Sequence, residues 1–212
     1  MSTTLILIQI LNGLQLGVIL FLIAAGLTLV FGVMGFINLA HGVQYMVGAY
    51  LAYWGYGVTG SFVLALLMAL PLALLMGLVL EFLVFRHLYD RDHLSQVLAT
   101  FGVILFLNQL AKVIFGPASL SVPPPEFLDF SFTLIDGLLY PAYRIAVIVA
   151  GLLVALILWL VITRTRVGML IRAGATNPDM VSALGVNVRQ LFLIVFGFGA
   201  MLAGFAGVMA AP

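Results

Sequence analysis

The chain has 212 residues, of which 65% are hydrophobic and 7% charged, with a net charge of +1 and no cysteine. A soluble domain carries roughly 25% charged residues, so a soluble globular protein is excluded. The charge balance excludes a nucleic-acid or acidic partner, and the missing thiols exclude disulfides and cysteine-based metal or catalytic sites.

No charged side chain occurs from Met1 to Leu80, a run long enough for three spans at ~20 residues each. The composition therefore predicts an all-α, polytopic transmembrane helical bundle in a lipid bilayer. Met1 to Thr4 carries no basic n-region, so the first segment reads as a retained span and not as a signal peptide. Leu5 to about Val33 is one apolar segment longer than ~20 residues, hence tilted, kinked or broken at its end. Asn12 and Gln15 share one face of it and turn inward.

The stretch Gly32 to Tyr50 then sets Asn38, His41 and Gln44, with glycines at 32, 35, 42 and 48, among apolar residues. Backbone inside a bilayer must satisfy its own hydrogen bonds, so this pattern predicts a broken or re-entrant helix near residues 34–48 facing protein or water. Asn38 is placed as the cap of the second half, which starts near Leu39. Two roles stay open for the three polar residues: glue between packed helices, and a translocation path. Tyr50, Tyr53, Trp54 and Tyr56 close the segment with an aromatic cluster suited to a headgroup interface.

Gly57 to Gly60 reads as a turn, and Ser61 to Phe85 as a third span kinked at Pro71. In the first charged loop, Arg86 to His93, the spacing of His87, Asp90, Asp92 and His93 matches no ligand pattern, and no metal site is expected. Leu94 to Phe115 is a fourth span. Thr100 and Asn108, eight apart on one face, form a stripe for a cavity or for helix contacts. Gly116 to Tyr140 is a proline-stiffened aqueous loop with Glu126, Asp129 and Asp136.

Ala142 to Thr163 is the fifth span and Gln190 to Pro212 a sixth, Gly-rich segment. Between them Arg164, Arg166, Arg172 and Arg189 face a single Asp179, which makes residues 164–190 cytoplasmic by the positive-inside rule and the 116–140 loop external. With no charge ahead of Glu81, the side of the N-terminus stays open. Three complete spans put it outside; a re-entrant excursion puts it inside. Within the arginine-rich loop, Asn177-Pro178-Asp179 reads as cap, first residue and acidic second residue of a short helix from Pro178 to Leu184, closed by Gly185. Met180, Ala183 and Leu184 share one face, too small for a core, which suits a partner's groove or a lipid surface. There is no Gly-Lys-Ser/Thr phosphate loop, so no cofactor is expected on this chain.

The stretch MGFINLAHGVQYMVGAY at Met34–Tyr50, with RVGMLIRAGATNPDMVSALGVNV at Arg166–Val188, closely resembles the LivH-type permease subunit of branched-chain amino acid ABC transporters. The resemblance covers essentially the whole chain, and the sister LivM type has a different, serine- and glycine-rich first motif. It implies one permease domain over residues 1–212, multi-pass in a bacterial inner membrane, that is a transport subunit and not an enzyme. The implied partners are a LivM-like permease, two cytoplasmic ATPases carrying ATP and Mg, and a periplasmic binding protein delivering Leu, Ile or Val. Members of the family continue with further spans, which implies a chain short at its C-terminal end. Residues 164–190 resemble the coupling loop that seats in the ATPase, with Gly168, Arg172, Ala173, Asp179, Ala183 and Gly185 at matching positions beside the Met180/Leu184 stripe.

The candidate solute path then comprises Asn38, His41, Gln44, Tyr45, Thr100 and Asn108. It holds no carboxylate or ammonium near mid-membrane, which suits a net-neutral zwitterion. Two rival readings remain: a related permease for urea or short amides, which shares the INLAHG-like stretch, and an ion-coupled secondary transporter, for which His41 is the one intramembrane proton-relay candidate.

Overall fold

Apolar runs in this chain fold as helices because a bilayer offers backbone groups no other partner, and helices stop at Gly35, Gly60, Gly116 and Gly185. The computed structural model describes residues 3–118, 120–135 and 138–212; Met1, Ser2, Ser119, and the Asp136 acid with Gly137 lie outside the described residues. In order come α1 (Thr3–Met34), α2 (His41–Thr59), α3 (Phe62–Leu83), α4 (His93–Phe115), β1 (Ser131–Ile135), β2 (Leu138–Pro141), α5 (Ala142–Arg164), α6 (Arg166–Thr176), α7 (Pro178–Ala183) and α8 (Val188–Met209). The all-α membrane bundle expected from composition is present: five of these helices are long and apolar enough to cross a bilayer, and α2 is the long helix that is not among them.

Two local expectations change. The turn placed at residues 57–60 is shorter, because α2 continues to Thr59 and ends at Gly60 (φ +66°), whose N–H bonds the Tyr56 carbonyl at 2.8 Å. The loop between α4 and α5 carries an antiparallel hairpin, with Ser131 opposite Pro141, Phe132 opposite Tyr140 and an irregularity after Thr133. Pro71 lies inside α3, which continues past it to Leu83.

The axis of the bundle is α8, in which 67% of the most apolar stretch is buried, against 33% or less in the other four apolar helices. Lipid gives helices no hydrophobic reason to associate, so close backbone contact has to hold them, and small residues permit it. A Cβ on Gly48 would lie 2.2 Å from the Gly204 carbonyl oxygen, and one on Gly207 would lie 1.9 Å from that of Tyr45. Glycine at these positions lets α2 and α8 touch along their backbones.

Contacts fix the direction of each pass. Near its start α1 presents the Asn12 carbonyl to the Tyr140 hydroxyl (3.3 Å) and to Arg144 Nη1 (2.7 Å), beside the hairpin. At its other end Val33 packs with Leu191 and Val195, next to Leu170 and Ile171 of α6. Thus α1 starts on the hairpin side and ends on the arginine-rich side. After the break, His41 Nε2 meets the Ile23 carbonyl at 3.0 Å, about a third of the way back along α1, and Ala52 joins Phe62 and Met209 at the hairpin side. Returning from Met34 to the level of Ile23 means climbing about 16 Å of helix. The six residues 35–40 reach about 20 Å when extended. The segment is therefore a broken crossing completed by α2, not a re-entrant loop. Three complete passes precede Arg86, and α1 starts on the hairpin side.

Candidate functional site

The break begins where Gly35 adopts φ +60° and closes α1, its N–H bonding the Phe31 carbonyl at 2.8 Å. Only glycine takes that conformation without strain. Phe36 next inserts fully buried among Val30, Ala40, Phe85 and Phe196, its ring 5.4 Å from that of Phe85 and 5.7 Å from Tyr89. Ile37 N–H bonds Gln96 Oε1 at 3.2 Å. These contacts hold residues 36–38 out of any helix, and a turn at Leu39 and Ala40 leads into α2 at His41.

Asn38 does not cap α2, contrary to the sequence reading. The cap residue is Ala40, with no side-chain bond; the backbone carbonyl of Asn38 takes the His41 N–H at 3.3 Å. Its side chain is freed for something else. Asn38, His41 and Gln44 are 4%, 2% and 0% exposed. Both amide atoms of Asn38, both of Gln44, and Nδ1 of His41 are buried with no hydrogen-bond partner. A carbonyl only accepts, so the contact to Ile23 fixes the proton of the neutral His41 ring on Nε2 and leaves Nδ1 an open acceptor. Native interiors rarely leave buried polar atoms unpaired, and each one asks for an explanation. Two carboxamides and an imidazole nitrogen together offer uncharged donors and acceptors at mid-depth.

Asn38 also borders a cleft of about 310 Å³ lined by Leu27, Thr28, Phe31, Gly32, Ile37 and Leu39, at the small end of the range near 300–1,000 Å³ for small-molecule sites. His41 and Gln44 do not border it. The other candidates stand apart: Thr100 is buried but donates to the Gln96 and Val97 carbonyls of its own helix, and Asn108 donates to Ile104. Tyr45 is half-buried and packs on the cluster around Ala52 and Ala206. The structure thus gathers the three residues at the break and leaves Thr100 and Asn108 self-satisfied on α4.

On the arginine-rich side, Thr165 accepts the Gly168 N–H at 3.1 Å and starts α6, a helix the sequence reading did not separate from its loop. A Cβ on Gly168 would sit 2.2 Å from the Val161 carbonyl oxygen, and Arg172 Nη1 donates to the Ile162 carbonyl. Gly168 and Arg172 therefore fix the corner between α5 and α6. Ala173 accepts the Asn177 N–H at 3.0 Å, and Asn177 Oδ1 caps α7 by accepting the Met180 N–H at 2.9 Å. Gly185 (φ +86°) ends α7, with Gly185 N–H to the Ser182 carbonyl and Val186 N–H to that of Val181, a Schellman closure. Val181 is buried, whereas Met180 and Leu184 are 61% and 78% exposed and Asp179 and Ala183 are also exposed. The short capped helix and its outward apolar stripe are as the sequence reading has them.

Two further residues lay outside that reading's candidates. Gln96 is 3% exposed and bonds the break itself. Glu81, 5% exposed at the end of α3, accepts the Tyr89 hydroxyl at 2.8 Å. Burial first, and then the bond to Glu81 and its charge, push the Tyr89 phenol well above its ordinary range, so it remains a donor.

A family model described as "Branched-chain amino acid transport system / permease component" matches residues 9–212. The permease protein BraD of Pseudomonas aeruginosa is 30% identical over 213 residues, covering 95% of this chain and 69% of that protein. LivH of Escherichia coli K12 is 28% identical over 220 residues with the same coverage, and LivM of that organism is 32% identical over 92% of this chain and 50% of its own length. The first two are high-affinity branched-chain amino acid transport system permease proteins by name, as is LivM. No solved structure matches this chain. With five helices among the described residues long and apolar enough to cross a bilayer, and matched by this model over residues 9–212, the chain belongs to the family of branched-chain amino acid transport system permease components.

Proposed function

We propose that this chain is the membrane-spanning permease subunit of an ATP-driven importer in a bacterial inner membrane, and that branched-chain amino acids pass beside its broken second crossing. The partners in this reading are a LivM-like permease, a periplasmic binding protein on the hairpin side, and two ATPases, carrying ATP and Mg, on the arginine-rich side. The observation that carries it is the set of five buried, unpartnered polar atoms on Asn38, His41 and Gln44. Carboxamides supply acceptors for an ammonium and donors for a carboxylate, and with no charge of their own they do not trap a zwitterion.

The drive enters through α7. Its exposed Met180 and Leu184 fit a groove on an ATPase. The helix α6 transmits the push, because Gly174 faces Leu191 and Val33 so closely that a Cβ there would lie 2.9 Å from one and 3.6 Å from the other. Val33 is two residues from the Gly35 bend, so a displacement of α6 acts on the end of α1 where the break starts. The bias between states comes from differential binding of the ATPase to them.

The test is uptake by proteoliposomes containing both permeases, the ATPases and the binding protein. Vanadate-sensitive uptake of leucine and not of urea supports the reading. Uptake that survives vanadate but collapses with an ionophore refutes it in favour of ion coupling, and urea uptake refutes the substrate.

A further inference from the structure

The carboxamide of Gln96 is fully engaged, in contrast to those of Asn38 and Gln44. Its Nε2 donates to the carbonyls of Leu88 (3.2 Å) and Arg91 (3.1 Å), and its Oε1 accepts the Ile37 N–H (3.2 Å), with His93 Nδ1 of its own helix at 3.5 Å. One side chain thereby bridges α4, the connector 84–92 and the break. Among the described residues, Ile37 N–H and the Asn38 carbonyl, which takes the His41 N–H at the start of α2, are the backbone groups of residues 36–39 bonded to another element, and Ile37 N–H is the one tied across to α4.

The surroundings make this bridge rigid. Tyr89, in the same connector, donates to buried Glu81 and sets its ring edge-on to Phe36 at 5.7 Å and to Phe192 at 5.5 Å. Both flanks of the Gln96 bond are thus fixed, Phe36 by rings and the connector by Tyr89. Asn38, one residue beyond Ile37, borders the cleft, with both its amide atoms buried and unpaired. Meanwhile α4 buries only Gln96, Thr100, Leu107 and Ala111, so it is a brace on the rim of the bundle, tied at its far end by Phe115 stacked 4.7 Å from Tyr50. The chemistry selects glutamine at this position. A carboxylate has no donor for two carbonyls, an ammonium has no acceptor for an N–H, and a neutral amide has both.

We propose that Gln96 is a positioning residue for solute passage: it anchors the irregular segment 36–39 through Ile37, sets the depth at which Asn38 meets the cleft, and links the connector 84–92 to the break. This rests on the transport reading above. Gln96 touches no solute and acts through Ile37.

The chain has no cysteine, so Leu39→Cys places a single reporter thiol on an exposed cleft residue. In membranes holding the complete transporter, Gln96→Leu should speed modification of that thiol by a methanethiosulfonate reagent about tenfold, the effect of losing roughly one net hydrogen bond. Amino acid taken up per ATP hydrolysed should fall about as much, with basal hydrolysis retained. Gln96→Glu keeps the acceptor for Ile37 and loses the donors, so labelling stays near the parent rate while uptake per ATP still falls, a split that general misfolding does not produce. Equal labelling in the parent and Gln96→Leu overturns the clasp; faster labelling with a normal uptake ratio overturns its link to passage. If Gln96→Leu does not accumulate, a normal uptake ratio in Gln96→Glu overturns the proposal. Failure of the parent complex to transport falls on the transport reading instead, since the labelling comparison needs no solute.

Discussion

Replacing Gln44 with methionine separates the two roles a polar residue at this depth can play. Gln44 is fully buried, and neither atom of its amide has a partner. A buried polar group left unpaired costs about 1–3 kcal/mol, whereas interhelical polar bonds in a bilayer return only about 0.6 kcal/mol on average. Methionine has the same unbranched reach and makes no hydrogen-bonding demand, and volume-conserving core swaps cost less than about 1.5 kcal/mol. Gln44→Met should therefore leave the fold unchanged or up to roughly 3 kcal/mol more stable. Uptake should drop about tenfold or more, because a hydrogen bond to the passing solute worth about 1.4 kcal/mol is gone. Detergent-denaturation curves of the purified subunit, read beside leucine uptake at equal protein, measure both quantities. A variant destabilised by more than about 1.5 kcal/mol, with uptake lost only in step with the folded fraction, would mean that Gln44 glues helices and lines no path.

Other expectations follow from single contacts. Gly207→Val puts a Cβ 1.9 Å from the Tyr45 carbonyl oxygen and 2.9 Å from the Ala49 N; both are backbone atoms, so α2 must move and the denaturation midpoint should fall by the equivalent of about 3 kcal/mol, the upper end of ordinary overpacking. Ala183→Glu, on an exposed surface of α7, should leave the subunit in the membrane but uncouple ATP hydrolysis from uptake; Arg172→Glu should do the same while loosening the α5–α6 corner, and normal coupling in both variants rules out α7 as the docking element. Asp92 caps α4 through the Ser95 hydroxyl (2.6 Å) and N–H (3.2 Å), which hold its carboxyl below the usual value. A lowered folded-state pKa means stability that is full above the unfolded value of 3.8 and lost as pH falls through the folded one, so the stability difference between the parent and Asp92→Ala should be constant at pH 6 and shrink below about pH 4. A difference independent of pH refutes the cap.

The break was legible because four glycines and three polar side chains interrupt an otherwise apolar run, and backbone at that depth tolerates them only where it is protected. Its register was not. The start of α2 at His41, and the failure of Asn38 to cap it, are set by Phe36 locking onto Phe85 and Phe196 from α3's end and α8, contacts with no trace in local sequence. The side on which α1 starts was undecidable without a charge to count, and a contact between Asn12 and Arg144, 132 positions apart, decided it. The capped α7 was readable from Asn177, Pro178 and Gly185 alone, since caps are local chemistry. The α6 helix hid because its apolar residues are interleaved with arginines and its signal was the single cap at Thr165. The hairpin hid because Ser131–Ile135 and Leu138–Pro141 show no strong alternation and follow a proline-rich loop.

Gln44 and Gln96 put the limit of sequence reading in its sharpest form. They are the same side chain, both within apolar stretches, and are 0% and 3% exposed. One has every amide valence idle; the other bonds Leu88, Arg91 and Ile37. The same substitution should therefore act in opposite directions. Gln96→Met removes three hydrogen bonds and strands the Ile37 N–H, while the Leu88 carbonyl keeps the Arg91 N–H (3.0 Å); it should cost about 3 kcal/mol, near 1 kcal/mol for each bond, whereas Gln44→Met strands nothing. If the paired denaturation curves move together, the two amides share one structural role, and the division between a clasp that holds the break and open groups beside which a solute passes is wrong.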